Sequence, residues 1–600
     1  MGVPLRPGVS CPFTLLPAAR ALQVMGPTSR FQALRPRAPV TSPPGPDGMD
    51  GRRTAGEGGV SPTDPAWNAE PRIDRNTAPD MRFYVVRCLT PLAAALMLAH
   101  PALAQTWERE DMSFEKIDQR AKELVAQPYS APNKEALPDW MKHLSYDQYR
   151  DIRFIPERAL WAEGNLPFRA MLFHPGSQFR EPVAVNEFTD THLQRIRLSE
   201  AFFNYGPLVG QRGELPPDAG FAGLRIHAPL NRPDYFDELA VFQGASYWRA
   251  LGKNQRYGIS SRGIAVNTGA EAMTEEFPLF REFWLRKPTP EDKATMLFAL
   301  LDGPSYTGAY GFIIQPGDDT VMTVRAVLYP RAAVKRLGLA PMSSMFWFGE
   351  NSKQRFDDFR PEVHDSDGLS IQTGSGEKIW RPITNDSGHL EFSFFAMDKC
   401  AGFGLLQRDR RFAAYEDGEA NYHQRPSLWI EPTSDWGSGK VMLMEIPTSN
   451  EHPDNTVAMW EPSHIPQPGE RIEFTYKQHW TMAEDPAGSG GHVVATRTGL
   501  HDWQKEQRTI AVEFAGGALE KWEGEPPEAV VTAIGENAAK VKIQGLAVQP
   551  LPEGRWRVAF QIAPSAEGGK LADVGPQELR CCLKKGDDFL TETWAYRITP

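Results

Sequence analysis

The sequence predicts a mainly β protein: a large antiparallel sandwich followed by a small immunoglobulin-like one. Three observations carry that expectation. Short apolar runs alternate with polar residues and are punctuated by turn formers, 51 Gly and 52 Pro among them, which is the rhythm of strands and turns. The long amphipathic helices that cross between parallel strands are missing. Six hundred residues, 41% apolar and 24% charged, make an ordinary globular composition with room for two domains.

Residues 1–80 hold 14 Pro, nine Arg and no Lys, with little hydrophobic periodicity. They are expected to be a disordered extension or an artefact of the start site. From Met81 the text reads MRFYVVRCLTPLAAALMLAHPALAQ, with Arg82 and Arg87, an apolar run, and Ala102-Leu103-Ala104 before Gln105. That is the anatomy of a secretory signal peptide over 81–104, with an apolar run too short to span a membrane. Translation is expected to begin at Met81 and the mature chain to be exported.

One helix comes next. Phe114, Ile117, Ala121, Leu124 and Val125 recur at helical spacing behind Ser113, a suitable cap, and the pattern stops before Pro128. Tyr310-Gly-Phe-Ile-Ile314 and the alternating run Val321–Leu328 flank Pro316-Gly-Asp-Asp319, which predicts a hairpin. Met482 to His492 reads as a Gly- and Ala-rich joint. The main sandwich is therefore expected over 105–480, linker and loop over 481–495, and the immunoglobulin-like sandwich over 496–600. In that last part Trp556, Val558, Phe560 and Ile562 alternate with Arg555, Arg557, Ala559 and Gln561.

Charge narrows the chemistry. Lys and Arg number 65 against 76 Asp and Glu, a net charge of −11, so no nucleic acid is expected as a partner. The 13 His include no HExxH and no close His/Cys cluster, and neither a GxSxG elbow nor a Walker-type phosphate loop occurs. No metal and no cofactor is expected. Cys400, Cys581 and Cys582 lie outside any CxxC and are given no redox or metal role. What remains is carboxylates, arginines and 16 Trp, 15 Tyr and 32 Phe, the toolkit for binding and cleaving sugars.

Three acidic turns stand out. Glu362-Val-His-Asp365-Ser-Asp367-Gly368 precedes a strand-like run, Asn450-Glu451-His-Pro-Asp454-Asn455 precedes another at Thr456–Trp460, and Asp302 ends an apolar run at Leu301-Asp302-Gly303-Pro304. Each also suits a plain turn, where Asp and Asn bond their own backbone, and spacing leaves open which acids converge.

Longer motifs carry a resemblance. Tyr146-Asp-Gln-Tyr-Arg-Asp-Ile-Arg-Phe154, Leu166-Pro-Phe-Arg169, Gly244-Ala-Ser-Tyr-Trp-Arg249, Tyr257-Gly-Ile-Ser-Ser-Arg-Gly263, Arg360-Pro-Glu-Val-His-Asp-Ser-Asp-Gly368, Gly402-Phe-Gly-Leu-Leu-Gln-Arg408 and Arg425-Pro-Ser-Leu-Trp429 resemble the osmoregulated periplasmic glucan biosynthesis protein G/D family, the MdoG/OpgG type. The resemblance runs from about residue 113 to the end. It implies a cleft in the large sandwich, a periplasmic location and action on glucan with a β-1,2-linked glucose backbone. It further implies contact with a membrane glucosyltransferase that makes the chain. Family members are inverting endo-β-1,2-glucanases, and the family's base position falls on Asp365 and its acid position on Asp454. Glu451 and Tyr422 match positions that line the cleft as substrate-binding residues.

Such a mechanism asks for one protonated carboxyl at the glycosidic oxygen and one carboxylate activating water on the opposite face. Asp454 as acid would need a raised pKa, from desolvation or a neighbour such as Glu451, and Asp365 would need a more polar setting to stay ionised. The alternative is a non-catalytic glucan-binding scaffold that presents the backbone for branching. The region 481–498 does not match the cleft-closing loop of hydrolytic members residue by residue, and His492 and Arg497 are expected there as solvated loop residues.

Overall fold

The expected hairpin organises the main body. In the computed structural model, which describes residues 109–599 apart from 354, 355, 387, 489, 501, 502, 504 and 505, strands Tyr306–Gln315 and Thr320–Pro330 pair in register from Tyr306↔Pro330 to Gln315↔Val321. Met322, Val324, Ala326 and Leu328 each point into the core and are 0% exposed, as a period of two requires. Residues 1–80 and the signal sequence at 81–104 lie outside the described residues.

This hairpin belongs to a fifteen-stranded sheet that faces a ten-stranded one. The ten-stranded sheet runs in the order Arg169–Phe173, Gly223–Ala228, Asp237–Gln243, Tyr247–Ala250, Ser260–Arg262, Leu337–Ser344, Thr456–Pro462, Gly439–Glu445, Glu391–Met397, with Ile264–Val266 also pairing Leu337–Ser344. All its pairings are antiparallel. The main core lies between the two sheets and takes Trp248 and Trp460 from one, and Phe312, Tyr476 and Trp480 from the other. Gln478 stitches the layers together: its Oε1 accepts from Trp248 Nε1 at 2.8 Å and its Nε2 donates to Ser261 Oγ at 2.8 Å. Leaving the Trp248 indole N–H without this partner would cost about 1–3 kcal/mol.

The helix forms over Phe114–Val125 and buries Phe114, Ile117 and Ala121 against the outer face of the fifteen-stranded sheet, among Trp284, Phe298 and Tyr329. Ser113 takes the extended cap backbone, but its side chain makes no capping bond. The opposite, C-terminal end of the helix is held by Arg331, which donates to Leu124 O at 3.0 Å and Gln127 O at 3.0 Å.

The fifteen-stranded sheet continues into the C-terminal strands. Lys378–Pro382 pairs in parallel with Thr593–Ile598, which leads on to Gln577–Lys585 and Glu528–Ile534. A four-stranded sheet of His492–Leu500, Arg508–Ala515, Trp556–Pro564 and Val541–Pro550 covers them. Between these layers sits a second core, with Val512, Phe514, Val558, Phe560, Cys581, Leu583 and Trp594 joined by Trp380 and Trp429. The 481–495 stretch contains the last residue of strand Ile472–Thr481, a connection, and the first residues of His492–Leu500. Cys400, Cys581 and Cys582 are free and buried.

Candidate active site

The outer face of the ten-stranded sheet carries the polar constellation. On strand Tyr247–Ala250, Trp248 points into the core, so Tyr247 and Arg249 on either side of it point outward. Arg262 lies directly across from Tyr247, and Ser343 directly across from Ser260, where their hydroxyls meet at 2.8 Å. Ser343 Oγ donates to Asp454 Oδ2 at 3.3 Å, and Arg249 Nη2 stands 4.0 Å from the same oxygen. Arg249 Nε donates to Tyr247 Oη at 2.6 Å, which fixes the guanidinium.

Asp365 arrives from the other side. Beyond Met345 the chain forms a short strand, Phe346–Phe348, which pairs with Val363–His364. The Asp365 N–H donates to Met345 O at 2.8 Å. Asp454 thus hangs on Ser343 and the Asp365 backbone on Met345, anchors two residues or roughly 7 Å apart along one extended segment. Asp365 is buried and ion-paired with Arg425. Arg425 lies 4.3 Å over the Tyr422 ring, and Tyr422 Oη donates to Glu451. Glu451 also accepts from Arg360 Nη1 at 2.8 Å, while Arg360 reaches Asp417 at 2.8 Å and Asp358 at 2.8 and 3.0 Å. The residues expected from sequence therefore form one connected set. Asp365, Arg425, Tyr422 and Glu451 run in a chain of contacts, and Asp454 follows Glu451 on the same turn.

Electrostatics tie the two aspartates together. Burial pushes the Asp365 carboxyl up, Arg425 and Arg249 pull it down, the Asp454 charge pushes it up again, and the net direction is upward. The more polar setting expected for Asp365 is not what the fold supplies, because the side chain sits under Tyr422 and Arg425 rather than in water. Burial likewise raises the Tyr422 phenol and takes Tyr247 up to about 12, so both rings carry their protons at neutral pH.

A profile of the periplasmic glucan biosynthesis protein family MdoG matches residues 112–598. The chain belongs to this family. It is 42% identical over 521 residues to the glucans biosynthesis protein G of Bradyrhizobium diazoefficiens, covering 86% of this chain and 100% of that one. The protein G of Ralstonia nicotianae is 42% identical over 509 residues, covering 83% and 98%, and that of Pseudomonas aeruginosa PAO1 is 40% identical over 519 residues, covering 84% and 96%.

In this MdoG-family chain the other face of the Glu362–Gly368 run is buried. His364 is 0% exposed, with Nδ1 2.7 Å from Gln407 Oε1 and Nε2 2.7 Å from Glu362 Oε2. Gln407 Nε2 donates to His364 O at 2.7 Å and faces Tyr422 O at 3.4 Å, so its Oε1 must be the atom toward the ring. Both imidazole nitrogens then face acceptors and both carry protons. Burial opposes that charge, but the Glu362 contact outweighs it and the imidazole is pushed up to about 9. Asp367 Oδ2 accepts from the backbone N–H of Arg408 at 2.9 Å. Gly368 ends the run because a Cβ there would strike the Trp380 ring.

Sequence reasoning did not single out Arg249, Arg360, Arg425 or Ser343 as site residues, although the three arginines lie inside the motifs it noted. Their signal was available: acids gathered in one place require cations. The third acidic turn lies elsewhere. Asp302 pairs with Arg331 at 3.1 Å and Arg281 at 3.5 Å and serves the helix end. His492 pairs with Glu484 at 3.6 Å and Arg497 with Glu513 at 3.0 Å.

Proposed function

We propose that this protein acts in periplasmic glucan biosynthesis as an inverting endo-β-1,2-glucanase that trims or shapes the nascent chain. The observation that carries the reading is the pair of unequal carboxylates. Asp365 is clamped by a guanidinium, whereas Asp454 has a hydroxyl and only a distant one. A carboxylate in contact with Arg425 holds its negative charge, and burial makes it a stronger base than a solvated aspartate, which suits water activation. In this reading Asp365, held by Arg425, activates the water, and Asp454 on the facing turn gives a proton to the glycosidic oxygen. Tyr422 and Glu451 line the same cleft against the sugar. The protein works in the periplasm, on chains delivered by a membrane glucosyltransferase.

Asp454→Asn and Asp365→Asn are each expected to reduce release of oligosaccharides from linear β-1,2-glucan by at least about 1,000-fold, while calorimetric affinity for the glucan stays within about threefold. NMR of the first products should show the inverted anomer. Full activity in either variant removes that residue from the mechanism.

One observation favours the scaffold reading. The 482–491 connection is held on the joint side, where Lys378 Nζ donates to Gly488 O at 2.6 Å and Arg408 Nε to Glu484 O at 3.2 Å. A loop anchored there is poorly placed to seal a cleft and exclude water. Tight glucan binding by the wild-type protein without any cleavage would decide for the scaffold.

A further inference from the structure

The two aspartates sit on separate turns, and a hydrolase of this kind is sensitive to how far apart they are held. The residue after Asp454 is placed to hold that spacing. Asn455 is 2% exposed, and its carboxamide makes three bonds. Oδ1 accepts from the Phe346 N–H at 2.8 Å, and Nδ2 donates to Phe346 O at 2.9 Å and to Ile446 O at 2.9 Å. The orientation of the amide is unambiguous, because one end faces an N–H and the other two carbonyls. Phe346 is in turn the strand partner of His364, with the two rings stacked at 5.3 Å and 14°. Asp365 is the next residue. A continuous path therefore runs from the Asp454 turn through the Asn455 side chain and Phe346 to the Asp365 turn.

We infer that Asn455 is a positioning residue whose carboxamide sets the separation of the Asp365 and Asp454 carboxylates by clamping both backbone groups of Phe346. The inference rests on the reading of those aspartates as a working pair. A short side chain at 455 would free the turn to slide along the strand. Misplacement by about 1 Å is enough to cost a reaction of this kind about 100-fold. Aspartate would be worse than alanine, since it turns an oxygen toward Phe346 O and Ile446 O.

The test compares Asn455→Ala with Asn186→Ala. Asn186 is also buried, and it bonds to Glu282 at 2.8 Å and Phe283 O at 3.1 Å on the far sheet. Asn455→Ala is expected to lose about 100-fold in kcat on linear β-1,2-glucan with KM and glucan Kd within threefold, and Asn186→Ala to lose less than threefold. A kcat for Asn455→Ala within threefold of wild type, or an equal loss in Asn186→Ala, overturns the inference. Should the alanine variant fail to fold, Asn455→Ser carries the same comparison. Crystal structures of wild type and variant give a readout independent of turnover: the Asp365–Asp454 separation must change in the variant, and an unchanged separation overturns the inference. A wild-type protein that cleaves nothing defeats the glucanase reading instead, and the crystallographic comparison still decides the role of Asn455.

Discussion

Two sides of one heptapeptide, Glu362–Gly368, face different worlds. On the outer side Asp365 feels the charge of Asp454, which stands 4.0 Å from Arg249. On the inner side His364 and Asp367 border a small pocket lined also by Glu350, Arg408, Trp380 and Thr496. His364 neutralises Glu362, and Arg408 grips Glu592 at 2.5 and 3.0 Å while lying 3.6 Å over Trp380. Burial and the charge of Glu362 push Glu350 up toward its neutral form. The same residue types thus serve opposite ends. Charge that is paired inside the fold holds strands together, and charge that is only loosely paired is available for chemistry.

The largest test strikes the inner side. Glu592→Ala leaves the Arg408 guanidinium buried with only backbone carbonyls, and removing one partner of such a pair costs about 3–5 kcal/mol. Urea unfolding should show that loss, with glucan affinity retained by the folded fraction. A loss under about 1 kcal/mol would mean the inner pair is not structural, and the contrast would fail.

Next in size is the pH dependence of stability. The folded pKa of His364, about 9, lies above its ordinary 6.5. Its contribution is therefore complete below about pH 6.5 and is lost as pH rises through about 9, by roughly 3 kcal/mol if no other group titrates. Glu350, raised to about 8, acts in the same direction at lower pH, its share complete below about pH 4.5 and lost as pH rises through about 8. Unfolding free energies at pH 6 and pH 9.5 should differ accordingly, and His364→Gln should flatten the slope. A slope unchanged in that variant would show that another group carries the dependence.

The smallest effect belongs to the outer side. Ser343→Ala removes one hydroxyl from Asp454 and should lower kcat by about three- to tenfold, the size of one net hydrogen bond, with thermal stability within a degree or two of wild type. A stability loss larger than the kcat loss would blur the division between the two sides.

Much of the frame was legible before any coordinates. The helix at Phe114–Val125, the Tyr306–Pro330 hairpin and the strand after Asn455 follow from side-chain period, because one buried face imposes its repeat on the residues that cover it. So did the position of the acids at strand edges, where turns place polar groups. Asp302 shows the limit of that reading. It looks like Asp365 in its local context, yet it ends among Arg281 and Arg331 beneath a helix.

The sequence by itself determined which segments are strands, where they turn and which acids stand at the turns, since those depend on neighbours within a few residues. Only the tertiary structure decided that the Asp365 and Asp454 turns meet across Met345 and Ser343, that Arg425 chooses one and Arg249 faces both, and that Asn455 spans the gap. These are contacts between distant parts of the chain, settled by how two sheets pack and which cations the packing leaves nearby.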